Sequence, residues 1–427
     1  MDATLLFGVF LLLMLAGVPV VAALAASSVV AFFLLGGLPA VALTQNAVFG
    51  IDKFVLLSVP LFILTGELMN ASGISLRLFD LASALVGHLR GGLAQVNVVA
   101  NLFLGGISGS SSADAALTTK VLVPMMVKRG YGTGFSGALT ATAAMLGPII
   151  PPSIAMILYG SVANVSIGKL FIAGIVPGCM VAFALGLTVW LISIMRGYRG
   201  EHARAPMLEV LRRAGQAGWA LLLPLIAVLG IGFGVITPTE AGAIAAAYSA
   251  LVGSFAYRTI RLTDYPRLLV NAAVDTAVVM LIVAVAATFT FLITLLGIPQ
   301  QVAQQIIAQS GGPTMFLLLV NVALLFAGML MEATALLLLT APILVPIAIK
   351  LGIDPVHFGL VMVVNIMIGT LTPPFGQSAF IVSAIGRIPV ERIFANIMLL
   401  LPALLLVLGI VSYLPGSFLW LVWLLGA

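Results

Sequence analysis

No charged residue occurs between Asp2 and Asp52. A helix needs about 20 apolar residues to cross the hydrocarbon core of a bilayer, so this stretch alone is long enough for two crossings. Across the 427 residues, 62% are hydrophobic and 7% are charged, whereas soluble proteins have about 25% charged residues. The sequence therefore predicts an all-α polytopic membrane protein. Because the N-terminus lacks the positive region of a cleaved signal peptide, we expect the first span to be retained.

Few residues of this chain are suited to catalysis. The single cysteine, Cys179, allows neither an internal disulfide nor a thiolate metal cluster. The three histidines, His88, His202 and His357, are scattered, whereas histidines that bind one metal are usually clustered. We therefore expect no enzyme and no cofactor. The 18 Lys and Arg against 13 Asp and Glu indicate membrane topology rather than nucleic-acid binding.

Two arginine-rich segments divide the chain, at 196–213 and 257–267. The residues between them are enough for two crossings joined by a turn at 237–240. Two crossings return the chain to the same side, so the positive-inside rule places both segments in the cytoplasm. We predict about ten to twelve crossings in total, with a first repeat at 1–195, a basic cytoplasmic connection at 196–215 and a second repeat at 216–427.

The two halves share an internal repeat at an offset of 222 residues. Without a gap, residues 102–152 match residues 324–374 at fifteen of 51 positions. In this composition leucine and alanine often match by chance, whereas shared glycine, proline, lysine and threonine are more informative. The informative pairs are Gly106 with Gly328, Thr118 with Thr340, Pro124 with Pro346, Lys128 with Lys350, Gly130 with Gly352, Gly137 with Gly359, Gly147 with Gly369, and Pro151-Pro152 with Pro373-Pro374. Such repeats are typical of secondary transporters. We expect inverted repeats, with the turns at Lys128 and Lys350 on opposite faces of the membrane.

Each repeat has a polar or small-residue interruption at hydrophobic depth, at 105–114 and 328–334. Interior glycines cost about 1 kcal/mol each relative to alanine in a helix, and the apolar segments that follow are short for a full span. These features predict two re-entrant hairpins, near 101–127 and 324–350. Irregular backbone is tolerated at this depth only where it is buried in protein or lines a cavity.

A proline pair interrupts the next apolar run of each repeat, at 151–152 and 373–374. Proline removes an amide donor and clashes with a preceding carbonyl, which predicts broken helices at 132–160 and 355–382. Freed carbonyls, together with serine and threonine hydroxyls, are ligands that suit an alkali cation. Close helix packing is the alternative explanation, but two paired interruptions in register favour two cation sites beside one cavity.

Two carboxylates lie within these interruptions, Asp114 and Glu332. An intramembrane carboxylate is costly and is a candidate for function by default. The two carboxylates do not occupy equivalent positions in the repeat, so we expect them to have distinct roles. A proton relay is an alternative role for them. Glu67 and Asp275 lie near apolar runs, where an interfacial position explains each about as well.

Four motifs together resemble the large membrane subunit (DctM-like) of tripartite ATP-independent periplasmic (TRAP) transporters. They are GGISGSSSADAA, GPIIPPS, ITPTEAGAIAA and GTLTPPFG, and the resemblance covers essentially the whole chain. It implies the ion transporter superfamily fold and an elevator mechanism in the bacterial inner membrane. It also implies sodium-driven import of an organic acid, such as a C4-dicarboxylate, sialic acid or another sugar acid. The implied partners are a small four-helix membrane subunit and a periplasmic substrate-binding protein.

The same resemblance implies the site residues. Sodium, as the coupling ion, would be held at a first site by Ser108, Ser110, Ser111, Gly147, Ile150 and Pro152. A second site would comprise Gly328, Glu332, Thr334, Thr370, Thr372 and Pro373. The substrate cavity would include Ser112, Asp114, Pro151 and Pro374. The alternative is a stand-alone sodium- or proton-coupled anion carrier of the same fold without a binding protein. A channel is less favoured, and the sequence does not identify the acid.

Overall fold

The computed structural model describes residues 2–35, 39–201, 203–301, 304, 312–374 and 376–425. Within these ranges the chain forms helices and no β-strand. His202, one of the three scattered histidines, lies outside the described residues.

Most described helices of the first half are short, and the longest is α11, with 30 residues. They are α1 (Asp2–Leu15), α2 (Val20–Leu35), α3 (Val41–Ile51), α4 (Ser58–Ala71), α5 (Ile74–Val86), α6 (Gly92–Ser108), α7 (Ser111–Lys128), α8 (Thr133–Ala143), α9 (Leu146–Ile149), α10 (Ile154–Ala163) and α11 (Ile167–Arg196), with a 3-10 turn at Phe54–Leu57 before α4.

The second half contains longer helices before its hairpin. They are α12 (Met207–Gly232), α13 (Pro238–Leu251), α14 (Tyr265–Leu295), α15 (Pro313–Gly328), α16 (Ala333–Lys350), α17 (Pro355–Gly369), α18 (Gln377–Gly386), α19 (Val390–Tyr413) and α20 (Gly416–Leu424). A π-helical turn at Val252–Ala256 and a 3-10 turn at Leu262–Asp264 join α13 to α14.

Six described helices are long and apolar enough to cross a membrane alone, or seven if the bent α8–α10 segment counts as one span. Among the described residues, seven shorter apolar helices add to these, so the ten to twelve crossings expected from the sequence stay a prediction. The apolar stretch at 81–100 is split between α5 and α6 by Gly91, whose φ of +75° lies in the left-handed region. Hydrophobic periodicity does not reveal such a turn inside an apolar segment.

The duplicated elements keep the register that the sequence predicts. The limb α7 (Ser111–Lys128) and the limb α16 (Ala333–Lys350) have the same length, and both bounds differ by the repeat offset of 222 residues. The helices that follow, α8 and α17, also begin at equivalent positions. Both proline pairs form cis peptide bonds.

The two repeats run in opposite directions, which confirms the predicted inversion. Helix α19 has 24 residues and is therefore about 36 Å long. At its beginning, a Cβ on Gly134 of α8 would lie 2.8 Å from the carbonyl oxygen of Arg392. At its end, Nε2 of His357 on α17 lies 2.9 Å from the carbonyl oxygen of Val411. Helices α8 and α17 therefore begin at opposite ends of α19, and so do the turns at Lys128 and Lys350 that precede them.

Arginine-bearing segments collect at one end of the molecule. The connection after α11 is held there by an ion pair between Arg129 and Glu201 at 3.1 Å. Three further contacts join neighbouring elements at this end: Arg213 Nη1 donates to the carbonyl of Asp80 at 3.0 Å, Arg77 lies 3.7 Å from the ring centroid of Tyr257, and Arg196 donates to Asn396 at 3.3 Å. By the positive-inside rule this end faces the cytoplasm.

The helices form two packed groups. One consists of α1–α4 with α13 and α14, in which α14 packs along α2, α3 and α4, and α13 packs along α4, while α12 packs on both α13 and α11. The other contains the two hairpins, α6–α7 and α15–α16, with the broken helices, α11 and α19. We call the first group the scaffold body and the second the hairpin body. Each hairpin begins earlier than predicted, at Gly92 and Pro313.

Candidate functional site

The tip of the first hairpin is a turn between α6 and α7. Gly109 closes α6 with φ at +59°, a conformation that glycine adopts without a Cβ penalty. The hydroxyl of Ser110 then caps α7 by accepting from the amide of Ala113 at 3.4 Å. The hydroxyl of Ser108 accepts from the amide of Ser110 at 3.2 Å. The serine-rich motif therefore folds as a helix end, a left-handed turn and an N-cap.

This tip lies directly against the first helix break. A Cβ on Gly105 would lie 3.0 Å from the Cα of Gly147, and one on Gly109 would lie 2.8 Å from the carbonyl oxygen of Pro152. The backbones therefore touch without side chains between them. The structure brings together the serines and the backbone carbonyls that were predicted to form the first sodium site.

Asp114 lies behind the tip rather than in the open cavity. Its side chain is 1% exposed, and a Cβ on Gly147 would lie 2.9 Å from its Oδ2. The Ser108 side chain is the hydrogen-bonding group beside this carboxylate, and neither oxygen has another partner among the described residues. The structure thus places Asp114 beside the residues of the first predicted sodium site and not among the residues that line the cavity.

The second hairpin meets its helix break in the same way. A Cβ on Gly328 would lie 2.9 Å from the Cα of Gly369. The hydroxyl of Thr372 donates to the carbonyl of Gly369 at 2.6 Å, and that of Thr370 donates to the carbonyl of Met367 at 3.0 Å. A hydroxyl that donates in this way keeps its oxygen lone pairs, so both oxygens are free to bind a cation.

Glu332 has a structural role at the second tip. Its Oε2 accepts from the amide of Ala335 at 3.0 Å and so caps α16. This contact occupies one of its two carboxylate oxygens. Glu332 and Thr334 also line the cavity described next, so these two polar side chains of the second tip face the open space.

A cavity of about 490 Å³ lies between the two hairpin tips and the scaffold body. The tips contribute residues 108–113 and 332–334, and the scaffold contributes one face each of α4 and α14. Ser112 lines the cavity as predicted from the resemblance, whereas Pro151 and Pro374 are not among its described lining residues. The remaining lining residues are Ile63, Gly66, Glu67, Asn70, Pro148, Ile154, Ala155, Asp275, Val278, Val279, Ile282, Met367 and Gln377.

The charged side chains that line this cavity are carboxylates. Glu67 on α4, Asp275 on α14 and Glu332 at the second tip line it, and no lysine or arginine does so among the described residues. Both α7 and α16 begin at the cavity, and the partial positive charge of a helix N-terminus favours an anion. The cavity therefore offers backbone dipoles for an anion and carboxylates for cations.

Sequence reasoning did not assign Glu67, Asn70, Asp275 or Gln377 to the site. Three of these four belong to scaffold helices, whose sequences have no counterpart in the aligned repeat segments. The signal available in the sequence was a polar or acidic side chain within a largely apolar segment. That signal does not distinguish a cavity wall from a membrane interface.

Comparisons with known proteins agree with this architecture. A sequence profile of the family described as "Tripartite ATP-independent periplasmic transporter, DctM component" matches residues 7–417. The sialic acid TRAP transporter large permease protein SiaM of Vibrio cholerae is 41% identical over 371 residues, covering 87% of each chain. The C4-dicarboxylate TRAP transporter large permease protein DctM of Pseudomonas aeruginosa is 41% identical over 365 residues, covering 86% of this chain and 85% of that protein.

A solved structure is similar in fold. The YdaH transporter of Alcanivorax borkumensis matches with a TM-score of 0.62, covering 88% of this chain and 87% of that chain at 17% sequence identity. At this identity the likeness concerns the fold alone.

Proposed function

The chain belongs to the DctM component family of tripartite ATP-independent periplasmic transporters, and we propose that it imports an organic acid in symport with sodium. The family is one of transporters rather than enzymes, and its members are multi-pass proteins of the inner membrane. The relatives in Vibrio cholerae and Pseudomonas aeruginosa are named for sialic acid and for C4-dicarboxylates. A carboxylate substrate is therefore the class that we propose for this chain.

The observation that carries sodium coupling is the pairing of each hairpin tip with a helix break. At the first break, the Ser108 and Ser110 hydroxyls lie where the Pro152 carbonyl meets Gly109. At the second, the Thr370 and Thr372 oxygens lie beside the contact of Gly328 with Gly369. Neutral oxygens at unwound backbone are the ligands that broken transporter helices use for sodium.

We propose that the hairpin body moves against the scaffold body as an elevator. The cavity wall is shared between the two bodies, so a shift of one along the other exposes the tips to either side of the membrane. The residues of the predicted sodium sites all belong to the hairpin body and would travel with the substrate.

We propose a small four-helix membrane subunit and a periplasmic substrate-binding protein as partners. The family name itself describes a tripartite, periplasmic system, which favours them. A stand-alone carrier of the same fold would instead transport the acid without either partner.

Thermal unfolding of the purified protein tests the ion sites without knowledge of the acid. We expect sodium to raise the Tm relative to potassium or choline at equal ionic strength, because an ion that binds only the folded state stabilises it. At a hundredfold excess over its Kd the stabilisation is about 2.7 kcal/mol. Ser108→Ala and Thr372→Ala should each weaken the sodium effect, whereas Thr372→Ser keeps the hydroxyl and should retain it.

Equal Tm values in the three cations would contradict sodium binding. Proton coupling through Asp114 or Glu332 would then be the better mechanism, and Asp114→Asn would separate the two because it removes a titrating group without removing a serine or threonine hydroxyl.

A further inference from the structure

A second cavity, of about 260 Å³, lies beyond the first along the same helices. On α10, Ile154 and Ala155 line the first cavity, and Leu158, Ser161 and Val162 line the second. On α14 the corresponding residues are 275–282 and 283–290. The two cavities are therefore stacked along the scaffold, separated by about two helical turns.

The direction of this stacking follows from the arginine-rich end. Helix α14 begins after Arg261, on the cytoplasmic side, so residues 275–282 lie nearer the cytoplasm than residues 283–290. The large cavity at the hairpin tips consequently lies on the cytoplasmic side, and the second cavity lies on the periplasmic side of the tips. In the proposed elevator, this arrangement corresponds to the inward-facing state.

Lys53 lies at the wall of the second cavity. It follows α3 on the scaffold body, and its Nζ donates to the carbonyl oxygen of Ser161 on the hairpin body at 2.9 Å. That carbonyl belongs to the last turn of α10, where the helix dipole is negative. The hydroxyl of Ser161 is buried and has no hydrogen-bond partner among the described residues.

Lys53 is the one cation among the described residues that line either cavity. Within the described part of the chain it forms no ion pair with a carboxylate. An ammonium group has three donors, and the contact with Ser161 uses one of them. Lys53 therefore has unused capacity for an anion on the periplasmic side of the tips.

An elevator shift would exchange the partners of Lys53. Moving α10 by the seven residues between Ile154 and Ser161 corresponds to about 10 Å at 1.5 Å per residue. This shift withdraws the Ser161 carbonyl from Lys53 and brings the hairpin-tip cavity to the level of Lys53. The two lining segments of α14 differ by eight residues, or about 12 Å, so both helices indicate a shift of similar size.

We propose that Lys53 binds the carboxylate of the substrate in the outward-facing state, and that the Ser161 carbonyl takes its place when the cavity faces the cytoplasm. This inference rests on the proposed import of an organic acid. It makes the transport path asymmetric in charge: the periplasmic position of the cavity contains a lysine, whereas the cytoplasmic position contains Glu67 and Asp275. Attraction on the periplasmic side and repulsion on the cytoplasmic side both favour import of an anion.

Uptake kinetics test this role with radiolabelled sialic acid and succinate. The transporter would be reconstituted in vesicles with its small subunit and binding protein, and KM, maximal rate and the sodium-dependent Tm shift would be measured. We expect Lys53→Met to raise KM about tenfold or more, because it removes a hydrogen bond to a charged group. Lys53→Arg should keep KM within about threefold. The sodium-dependent Tm shift should not change in either variant.

Lys169→Met is the matched control, because Lys169 is an exposed lysine at the same end of the membrane, in the first turn of α11. An unchanged KM in Lys53→Met, or a loss of maximal rate alone, would overturn the proposal, since a lysine that only latches the two bodies would alter the rate and not the affinity. If Lys53→Met does not fold, Lys53→Gln serves in its place. Wild-type uptake that does not depend on sodium would contradict the proposed function, whereas the KM of Lys53→Met tests this inference separately.

Discussion

At the scale of single residues, glycine decides how closely the hairpins approach the helix breaks. Gly105 against Gly147, and Gly328 against Gly369, place main chain on main chain. A side chain at any of these positions would separate the hydroxyl and backbone oxygens that surround the contacts. The glycines of the repeat therefore allow the hairpin tips to approach the helix breaks closely enough to form the proposed ion sites.

Gly147→Ala tests this role. The added Cβ would lie 2.9 Å from Asp114 Oδ2 and 3.1 Å from the Ser110 backbone, and such overpacking costs about 1–3 kcal/mol. We expect a lower Tm and a weaker sodium effect on it. Gly218→Ala in α12 is the control, because nothing lies within 4 Å of its Cβ position and alanine is favoured in a helix interior by up to about 1 kcal/mol. A normal sodium response in Gly147→Ala would contradict the proposed geometry of the first site.

The residues of the site were only partly predictable. The serines of the first tip and the threonines of the second break could be proposed because they lie beside glycines and prolines that repeat at a fixed offset. Glu67 and Asp275 could not be assigned, since the cavity wall they form depends on how α4 and α14 pack against the tips. The position of Asp114 also depends on packing: its place in the sequence suggests the cavity, but the first turn of α7 directs it behind the tip toward Gly147.

At the scale of elements, the two bodies meet where α4 crosses the first hairpin tip. A Cβ on Gly66 would lie 3.6 Å from the Cα of Ser108, an ordinary contact distance with no room for a larger side chain. If the hairpin body slides along α4, this face of the helix must stay smooth.

Gly66→Leu should therefore slow transport. The branched side chain would project into the path of the tip, so we expect a lower maximal uptake rate in reconstituted vesicles, while the sodium-dependent Tm shift is retained. Gly66→Ala adds only the Cβ and should remain close to wild type. Wild-type rates in Gly66→Leu would be inconsistent with movement of the tip along this face.

The order of the helices could largely be predicted from the sequence, but the residues at which they begin and end could not. Proline pairs within apolar runs indicated both broken helices, and the limbs α7 and α16 have the bounds that the repeat requires. The first limbs of the hairpins, α6 and α15, contain no charged residue that would mark where they begin. Their beginnings at Gly92 and Pro313 depend on a glycine turn and on tertiary packing.

At the scale of the whole molecule, the inverted repeat fixes where each turn emerges. The turn at Lys128 lies at the arginine-rich end through the contact of Arg129 with Glu201. The turn at Lys350 lies at the other end, beside the beginning of α17. Sequence similarity alone showed the duplication but could not show its direction, because direct and inverted repeats have the same sequence signature.

Single cysteines test this orientation. In a Cys179→Ser background, which removes the exposed native cysteine, we expect Lys128→Cys to react with a membrane-impermeant maleimide from the cytoplasmic side only. Lys350→Cys should react from the periplasmic side only. Both lysines are exposed, so burial would not explain a failure of either cysteine to react. Labelling of both cysteines from one side would contradict the inverted repeat.

The most direct test of sodium-coupled import is uptake by the complete transporter in proteoliposomes. The large subunit would be reconstituted with its small membrane subunit, supplied with the periplasmic binding protein, and given sialic acid or succinate under an imposed sodium gradient. We predict accumulation against the gradient of the acid with inward-directed sodium, and none when potassium replaces sodium or when the binding protein is omitted. Accumulation at an equal rate without sodium would contradict the central claim.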